Sequence, residues 1–457
     1  MKLVKSEARF SIKELNQLFK VKLKANFEIS VCTDSRTIKP EQIFLPLKGE
    51  SFDGHDYINS VFEKKKDAQI ISFCEKKKVN KVKKTYRDKL IIVNSTLDAY
   101  HKLANHYREK INPKVIAITG SSGKTTTKDL VASVLSSCFK VHKTEANFNN
   151  EIGVPKTILE MPPDTEVLVL ELAMRGRGEI ELLSRIAEPD IAVITNVGTA
   201  HIGRLGSHKA IVNAKCEILK HLKKNGLAIL PNDKKLLKTA SKIWGGKTAS
   251  FDLNQTSDIT FKDGRTSFTL NIKKLCYEKY SICALGNIYV LNSLLAILIA
   301  KYLGLIRDEI QKGLSAFKVP AGRGGIVQIS KGIYLIDESY NANPDSVKAA
   351  VGGLVGCWEN GYKKILVLGE LAELGKDEGK LLYDLSKWLK SQELNTVITV
   401  GKKLKPFFSA PNVKNISTID ECCAILNKLL LPHSVALIKG SRVAGLEKII
   451  ENLLQSR

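Results

Sequence analysis

Apolar positions along this chain follow more than one rhythm, and the places where the rhythm changes mark its organisation. From Pro113 onward, apolar runs at 115–118, 167–172 and 191–195 are each followed by a stretch of helical periodicity. Short apolar runs bounded by turn signals predict buried strands, and their alternation with helices predicts a mostly parallel sheet covered by helices. Between about 249 and 283 the text turns to short alternating segments (SFTLNI, YSICAL) around Asp263-Gly264, which predicts an antiparallel insertion. Helices are expected over 288–302 and 306–316.

The β-α rhythm resumes beyond Val319-Pro320-Ala321-Gly322-Arg323-Gly324-Gly325, the best-punctuated stretch of the chain. There 334–337, 364–368, 396–400 and 435–439 read as strands, each followed by a helix, in a Rossmann-like arrangement. Before Pro113 the text holds short strand candidates at 42–47 and 90–93. An α/β chain of three domains is therefore expected: 1–108, 109–320 and 321–457. No internal repeat or low-complexity tract is visible.

Composition narrows the function classes. The 457 residues include 71 Lys and Arg against 47 Asp and Glu, a net charge of +24. Only 13 of the basic residues are Arg, so the excess is Lys, a hydrated point charge without the planar fork that reads bases and phosphates. The charge thus weakens a nucleic-acid partner as an expectation. A polynucleotide-stimulated ATPase stays as one minor alternative, and it requires strongly salt-dependent binding. The lysine-rich run 76–89 is expected to be a solvated loop or edge. Nine scattered cysteines without a C-x-x-C pair fit a reducing cytosol. The N-terminus shows no apolar signal region. The greasiest stretch, 290–300, is broken by Asn292 and falls short of the ~20 residues that span a bilayer. A buried helix in a cytoplasmic protein without membrane insertion is the expectation.

The sharpest local signal is Thr119-Gly120-Ser121-Ser122-Gly123-Lys124-Thr125-Thr126-Thr127, which follows the apolar run 115–118 and opens a helix at Lys124. Strand, glycine loop and helix N-terminus together aim backbone N–H groups at one anion. Lys124 would hold β and γ phosphates, and the Thr125 hydroxyl would reach Mg²⁺. Two residues separate the first glycine from the Gly-Lys pair, where the usual phosphate loop has four. Glu171 ends the 167–170 run, at the sheet edge where ligands of parallel sheets bind. By itself a carboxylate there is a cap or surface group; beside a phosphate loop it becomes a metal ligand. His201, in Asn196-Val197-Gly198-Thr199-Ala200-His201, follows the 191–195 run to the same edge. Lys215 lies on the helix after Ser207.

Taken together these strings resemble the Mur ligases, ATP-dependent amide-forming enzymes of peptidoglycan synthesis, over nearly the whole chain. TDSRTIKP from Thr33, IFLPL from Ile43 and Asp53-Gly54-His55 resemble the family's uridine-nucleotide domain. TGSSGKTTT, NFNNEIGVP from Asn147 and NVGTAHI with Lys215 resemble its central ATPase domain. DESYNANP from Asp337, LGELAELG from Leu368 and KGSR from Lys439 resemble its C-terminal motifs. The combination is most similar to the branch that joins D-alanyl-D-alanine to UDP-N-acetylmuramoyl-tripeptide, and the Asp-Asn-Pro-Arg signature of the preceding ligase is missing.

The resemblance implies an acyl-phosphate reaction with ATP and Mg²⁺ in a cytoplasmic, monomeric enzyme of cell-wall biogenesis, linked to cell shape and division. It implies Lys124, Glu171, His201 and Lys215 as catalytic residues. Thr125, Glu171, His201 and a carbamylated Lys215 would surround the metal. Gly120, Ser121, Ser122, Gly123, Lys124, Thr125, Thr126, Asn292, Arg323 and Asp337 would hold the nucleotide. Ser35 and Arg36 would meet the uridine nucleotide, with Asn150, Asn341 and Asn343 among the substrate contacts. The chain departs from the family's Gly-x-His-Asn-x-x-Asn at 286–292, where only Gly286 and Asn292 match, and at Cys216, Gly325 and Glu338.

Overall fold

Four β-sheets organise the computed structural model, which describes residues 8–23, 28–64, 70–198, 202–262, 264–272, 276–358 and 361–455. The first sheet runs Arg9–Ser11, Glu28–Cys32, Gln42–Phe44, Ile71–Glu75, Leu90–Val93, antiparallel at its first pair and parallel thereafter. Ile71–Glu75 is buried through Cys74, yet it abuts the lysine run and its apolar signal is short. That run is not a plain loop. It forms two short 3-10 helices, Lys76–Lys81 and Lys84–Lys89, with Val82 buried between them. Lys78 folds inward to Asp53 Oδ2 at 2.5 Å.

The central sheet has the order Lys247–Phe251, Leu227–Pro231, Ile191–Ile194, Lys114–Thr119, Val167–Glu171, Val141–Lys143, with every pair parallel. This corrects the expected start of the insertion near 249. Lys247–Phe251 is an edge strand of the parallel sheet, and its mostly exposed residues mimic hairpin text. The antiparallel sheet starts at Thr256, with strands Thr256–Lys262, Arg265–Ile272 and Cys276–Ile282. Asp263 of the expected turn lies outside the described residues. Gly264 beside it has φ 73°, a left-handed conformation open to glycine at little cost. Helix Asn287–Tyr302 is apolar on most sides because it is covered on most sides, with Leu294, Ala296, Ile297 and Ile299 fully buried.

The last sheet runs Gly325–Ser330, Ile333–Glu338, Ser434–Lys439, Lys363–Gly369, Thr396–Val400, Val413–Ile416, antiparallel only at the first pair. The expected boundary at 108 falls inside helix Thr96–Ile111. One hydrophobic cluster spans the first two sheets through this helix, joining Phe73 and Ile91 to Val115 and Leu168 by way of Leu103, Ala104 and Tyr107. The last sheet has a cluster on each face, one of which also takes in Leu285 and packs Phe261 from the region before the hinge. Among the described residues no helix is long and apolar enough to cross a membrane.

Candidate active site

Strand Lys114–Thr119, buried from Val115 onward, delivers the loop 120–123 to the carboxyl edge of the central sheet, and helix Lys124–Leu135 leaves from it. Gly120 sits at φ 155° and Gly123 at φ 76°. A Cβ on Gly120 would collide with Thr195 Oγ1, so the loop can lie this close to its neighbour only without a side chain there. The neighbouring strand grips the loop. Thr195 Oγ1 donates to Ser122 O at 2.6 Å, Asn196 Nδ2 donates to Ser122 O and Oγ, and Ser122 N donates to Asn196 Oδ1 at 3.0 Å. Lys124 Nζ reaches back to Gly120 O at 2.9 Å, which folds the amine over the loop. Thr125 and Thr126 continue the first turn, whose N–H groups have no intrahelical acceptor.

Glu171 closes strand Val167–Glu171 and is 2% exposed. Asn149 Nδ2 donates to its Oε1 at 2.8 Å, while Oε2 has no partner. Lys215, on helix His208–Cys216, is fully buried, and its Nζ has no partner either. Thr119 Oγ1 and Ser121 Oγ share that condition, so four of the seven such side-chain atoms among the described residues belong to these four residues. A buried polar atom left unmade costs about 1–3 kcal/mol, and a group of them marks where a ligand completes the structure. Burial pushes the Lys215 amine well below the usual lysine range; the Lys124 charge adds to this, and Glu171 and Glu217 oppose it. Burial also lowers Lys124, against the pull of Glu171 and with a push from Arg323. Each of these charges is felt by another, so Lys124, Glu171, Lys215 and Arg323 form one electrostatic unit.

The remaining expected residues fall into distinct places. Arg323 stacks over the Tyr340 ring at 4.0 Å, and Arg442 lies 5.5 Å from the same ring. Tyr289 OH donates to Arg323 O, which ties the Pro-Gly hinge to helix Asn287–Tyr302 just where the chain departs from the family pattern. Asp337 is engaged by the hinge: Oδ2 accepts from Gly322 N at 2.8 Å and Oδ1 from Ser339 N and Oγ. Asn292 is 3% exposed and accepts from Thr127 Oγ1 at 3.2 Å, so it buttresses the first turn from behind. Asn343 caps helix Pro344–Cys357 through Ser346 N. Asn150 accepts from Ile152 N and Gly153 N at the start of helix Gly153–Leu159. Asn341 Oδ1 takes Ala342 N, and its carbonyl takes Lys439 Nζ.

Ser35 and Arg36 are distant in sequence and belong to the first sheet's loop, where Arg36 is paired with Asp34 at 2.7 Å and exposed. His201 lies outside the described residues. Two contributors were not singled out from the sequence as site residues: Asn149, which holds Glu171, and Arg442, which shares Tyr340 with Arg323. Two adjacent Asn in NFNNEIGVP carry no signal of which one faces the sheet edge, whereas Arg442 stood visible inside KGSR.

Three family descriptions match the chain: Mur ligase family, catalytic domain, over 30–108; Mur ligase middle domain over 118–300; and Mur ligase, glutamate ligase domain, over 322–442. The chain is 36% identical over 438 residues to the UDP-N-acetylmuramoyl-tripeptide–D-alanyl-D-alanine ligase of Bacillus subtilis, covering 93% of each protein. It is similar to a crystal structure of MurF from Acinetobacter baumannii, with TM-score 0.87 and 30% identity over 98% of this chain and 100% of that one. It is also similar to MurF ligase from Thermotoga maritima in complex with ADP, with TM-score 0.83 and 27% identity over 93% of this chain and 97% of that one.

Proposed function

The chain belongs to the Mur ligase family, and on that premise we propose that the loop 119–125, Glu171 and Lys215 are its reaction centre. It is an ATP-dependent ligase that joins D-alanyl-D-alanine to UDP-N-acetylmuramoyl-tripeptide, giving the pentapeptide, ADP and phosphate in peptidoglycan precursor synthesis. The observation that carries the assignment of the centre is the pair of buried, unpartnered atoms Glu171 Oε2 and Lys215 Nζ beside a phosphate-type loop.

Making an amide from a carboxylate is uphill, because the ion is a poor electrophile. The tripeptide's terminal carboxylate attacks the γ-phosphorus of ATP, ADP leaves, and an acyl phosphate results. The free amine of D-alanyl-D-alanine then adds to the acyl carbon, and phosphate leaves the tetrahedral intermediate. The amides of Gly120, Ser121, Ser122 and Gly123, with the helix start at Thr125 and Thr126, would cradle the β and γ phosphates. Lys124 would neutralise charge on the transferred oxygens.

A hard divalent cation such as Mg²⁺ suits oxygen donors and keeps several waters. The orphaned Glu171 oxygen and the Thr125 hydroxyl fit that preference, and Mg²⁺ would supply charge neutralisation at the phosphates. A buried ammonium at Lys215 would repel the cation. Its depressed pKa favours the neutral amine, which can add CO₂ to become a carbamate with carboxylate oxygens. His201 would complete this shell. Arg323 would meet the nucleotide from the hinge, Asp337 would serve it through the hinge backbone it holds, and Asn292 through the Thr127 hydroxyl that donates to it. Ser35 and Arg36 would take the uridine nucleotide, and Asn150, Asn341 and Asn343 would shape the acceptor side. We read the working units as 1–108, 109–320 and 321–457, in a cytoplasmic monomer.

Phosphate release from ATP tests this reading. The parent should release phosphate only with both the tripeptide nucleotide and D-alanyl-D-alanine present. Lys124→Ala should lower the rate by about 10²-fold or more. Release independent of D-alanyl-D-alanine, or a fully active Lys124→Ala, would refute it.

A further inference from the structure

The helix that leaves the phosphate loop carries a second lysine, and this one lies inside the protein. Lys128, one turn beyond Thr125 in helix Lys124–Leu135, is 2% exposed. Its Nζ donates to Thr144 O at 2.6 Å, and Asp129 Oδ1 lies 3.3 Å away. A buried ammonium is tolerated only when it is paired and hydrogen-bonded, and a bond from a charged donor is short and strong. The Thr144 carbonyl is therefore firmly held.

That carbonyl would ordinarily have another partner. Thr144 is fully buried and follows the edge strand Val141–Lys143, whose pairing with Val167–Glu171 runs as far as Lys143 and Val169. Its N–H continues the ladder, donating to Val169 O at 3.0 Å. In a regular parallel ladder such a residue then accepts, through its own carbonyl, from the N–H two residues further along the neighbour, here Glu171. The Glu171 N–H donates instead to Thr144 Oγ1 at 3.0 Å. A side-chain hydroxyl thus stands in for the carbonyl that Lys128 has taken. Asn149 Nδ2 holds Glu171 Oε1 at 2.8 Å, and Oε2 alone is left without a partner.

We infer that Lys128 is a positioning residue for the metal carboxylate: by capturing the Thr144 carbonyl it diverts the end of the ladder onto the Thr144 hydroxyl, and so fixes Glu171 relative to the helix that carries Thr125. The inference rests on the reaction centre proposed above, in which Glu171 and Thr125 face one cation. Thr125 and Lys128 share a single helix, so the chain Lys128–Thr144–Glu171 sets the span between those two oxygen donors. Mg²⁺ demands near-octahedral geometry, which makes that span matter. Without Lys128 the Thr144 carbonyl is free to take the Glu171 N–H, and the strand end that carries the carboxylate shifts.

Lys128→Met is the first variant. It is nearly isosteric, and Asp129 stays paired with Lys143 at 2.6 Å, so no bare carboxylate is left behind. The measurement is equilibrium binding of a non-hydrolysable ATP analogue with and without Mg²⁺. The parent should bind more tightly with the metal; in Lys128→Met this gain should shrink about tenfold, as when a group that orients a metal ligand is lost, while affinity without metal matches the parent. In turnover the Mg²⁺ concentration for half-maximal rate should rise, with KM for the tripeptide nucleotide unchanged. Thr144→Val should shift the metal gain in the same direction and Thr144→Ser should restore it. Combining Lys128→Met with Thr144→Val should lower it no further than the worse single variant, because both act through one residue. Ser133→Ala, which removes a hydroxyl bond to Gly313 O from the same helix, reads general loosening and should leave the metal gain intact. A metal gain unchanged in Lys128→Met and Thr144→Val, or lost equally in Ser133→Ala, would overturn the role. Should Lys128→Met not fold, the Val and Ser variants at Thr144 decide it. A metal gain that survives Glu171→Gln would instead strike the reaction centre beneath it.

Discussion

The junction between the first and central sheets differs in kind from the junction between the central and last sheets. In the first, helix Thr96–Ile111 threads a single apolar cluster, and main-chain groups are bonded across it. Tyr107 OH donates to Met161 O at 2.8 Å, Ala8 N to Leu159 O at 3.0 Å, and buried Arg108 bonds Ile186 O and Glu188. In the second, two contacts are glycine on glycine. Gly203 meets Gly375, and a Cβ on Gly286 would lie 3.1 Å from Gly353 Cα. Tyr289 on Arg323 O, the Arg204–Glu373 pair and the Phe261–Trp358 rings at 5.6 Å supplement them. A fused core resists motion because separating it exposes apolar surface at about 25 cal/mol per Å². Bare backbone contacts, the limited apolar contact of Leu285 and Phe261 with the last sheet's core, and a hinge with Gly322 at φ 73° and Gly324 at φ 101° lose less on parting. The molecule is therefore one welded body carrying the phosphate loop and one jointed body carrying Arg323, Tyr340 and Arg442.

The strongest way to break this contrast is to attack the weld. Leu103→Ala should cost about 2–5 kcal/mol and lower the melting of the first two regions together, as one calorimetric transition. Separate melting of residues before 108 would contradict the fused core. A second test uses the buried amine inside the welded body. The folded-state pKa of Lys215 lies below its unfolded one, so the unfolded chain binds the extra proton and stability falls as pH drops through that window. In CO₂-depleted buffer the stability advantage of Lys215→Met should therefore grow from pH 10 downward, by about 1.4 kcal/mol for each pH unit between the two pKa values, with Tm rising in step. A pH-independent difference would mean that the amine is not buried as described. The smallest effect belongs to the joint. Tyr289→Phe removes one hydrogen bond to the hinge, worth about 0.5–1.5 kcal/mol. It should change kcat while leaving the melting of the welded body in place; the reverse pattern would move the hinge anchor elsewhere.

How much of this was legible in the sequence depended on burial. Strands covered on both faces announce themselves as unbroken apolar runs. Thr396–Val400 lies at the expected position, and Lys114–Thr119 and Val167–Glu171 differ only at their ends. Edge strands are less legible because much of each faces water: Leu90–Val93 lies where expected, but Val141–Lys143, Lys247–Phe251 and Val413–Ile416 escaped notice or were misplaced. The phosphate loop was readable because glycine, lysine and threonine are each required there for a separate physical reason. Side-chain direction was not. Asn343 and Asp337 are visible as residues, but only coordinates show that they hold a helix start and a hinge turn. The glycine contacts were equally hidden, since a close approach between chain segments leaves no local periodicity.

The most direct test of the reaction centre is a crystal structure with a non-hydrolysable ATP analogue and Mg²⁺. The β and γ phosphates should lie against the amides of residues 120–125, with the metal about 2.0–2.1 Å from Glu171 Oε2. An analogue bound elsewhere, or a Glu171 carboxylate still facing protein with no metal beside it, would contradict the assignment.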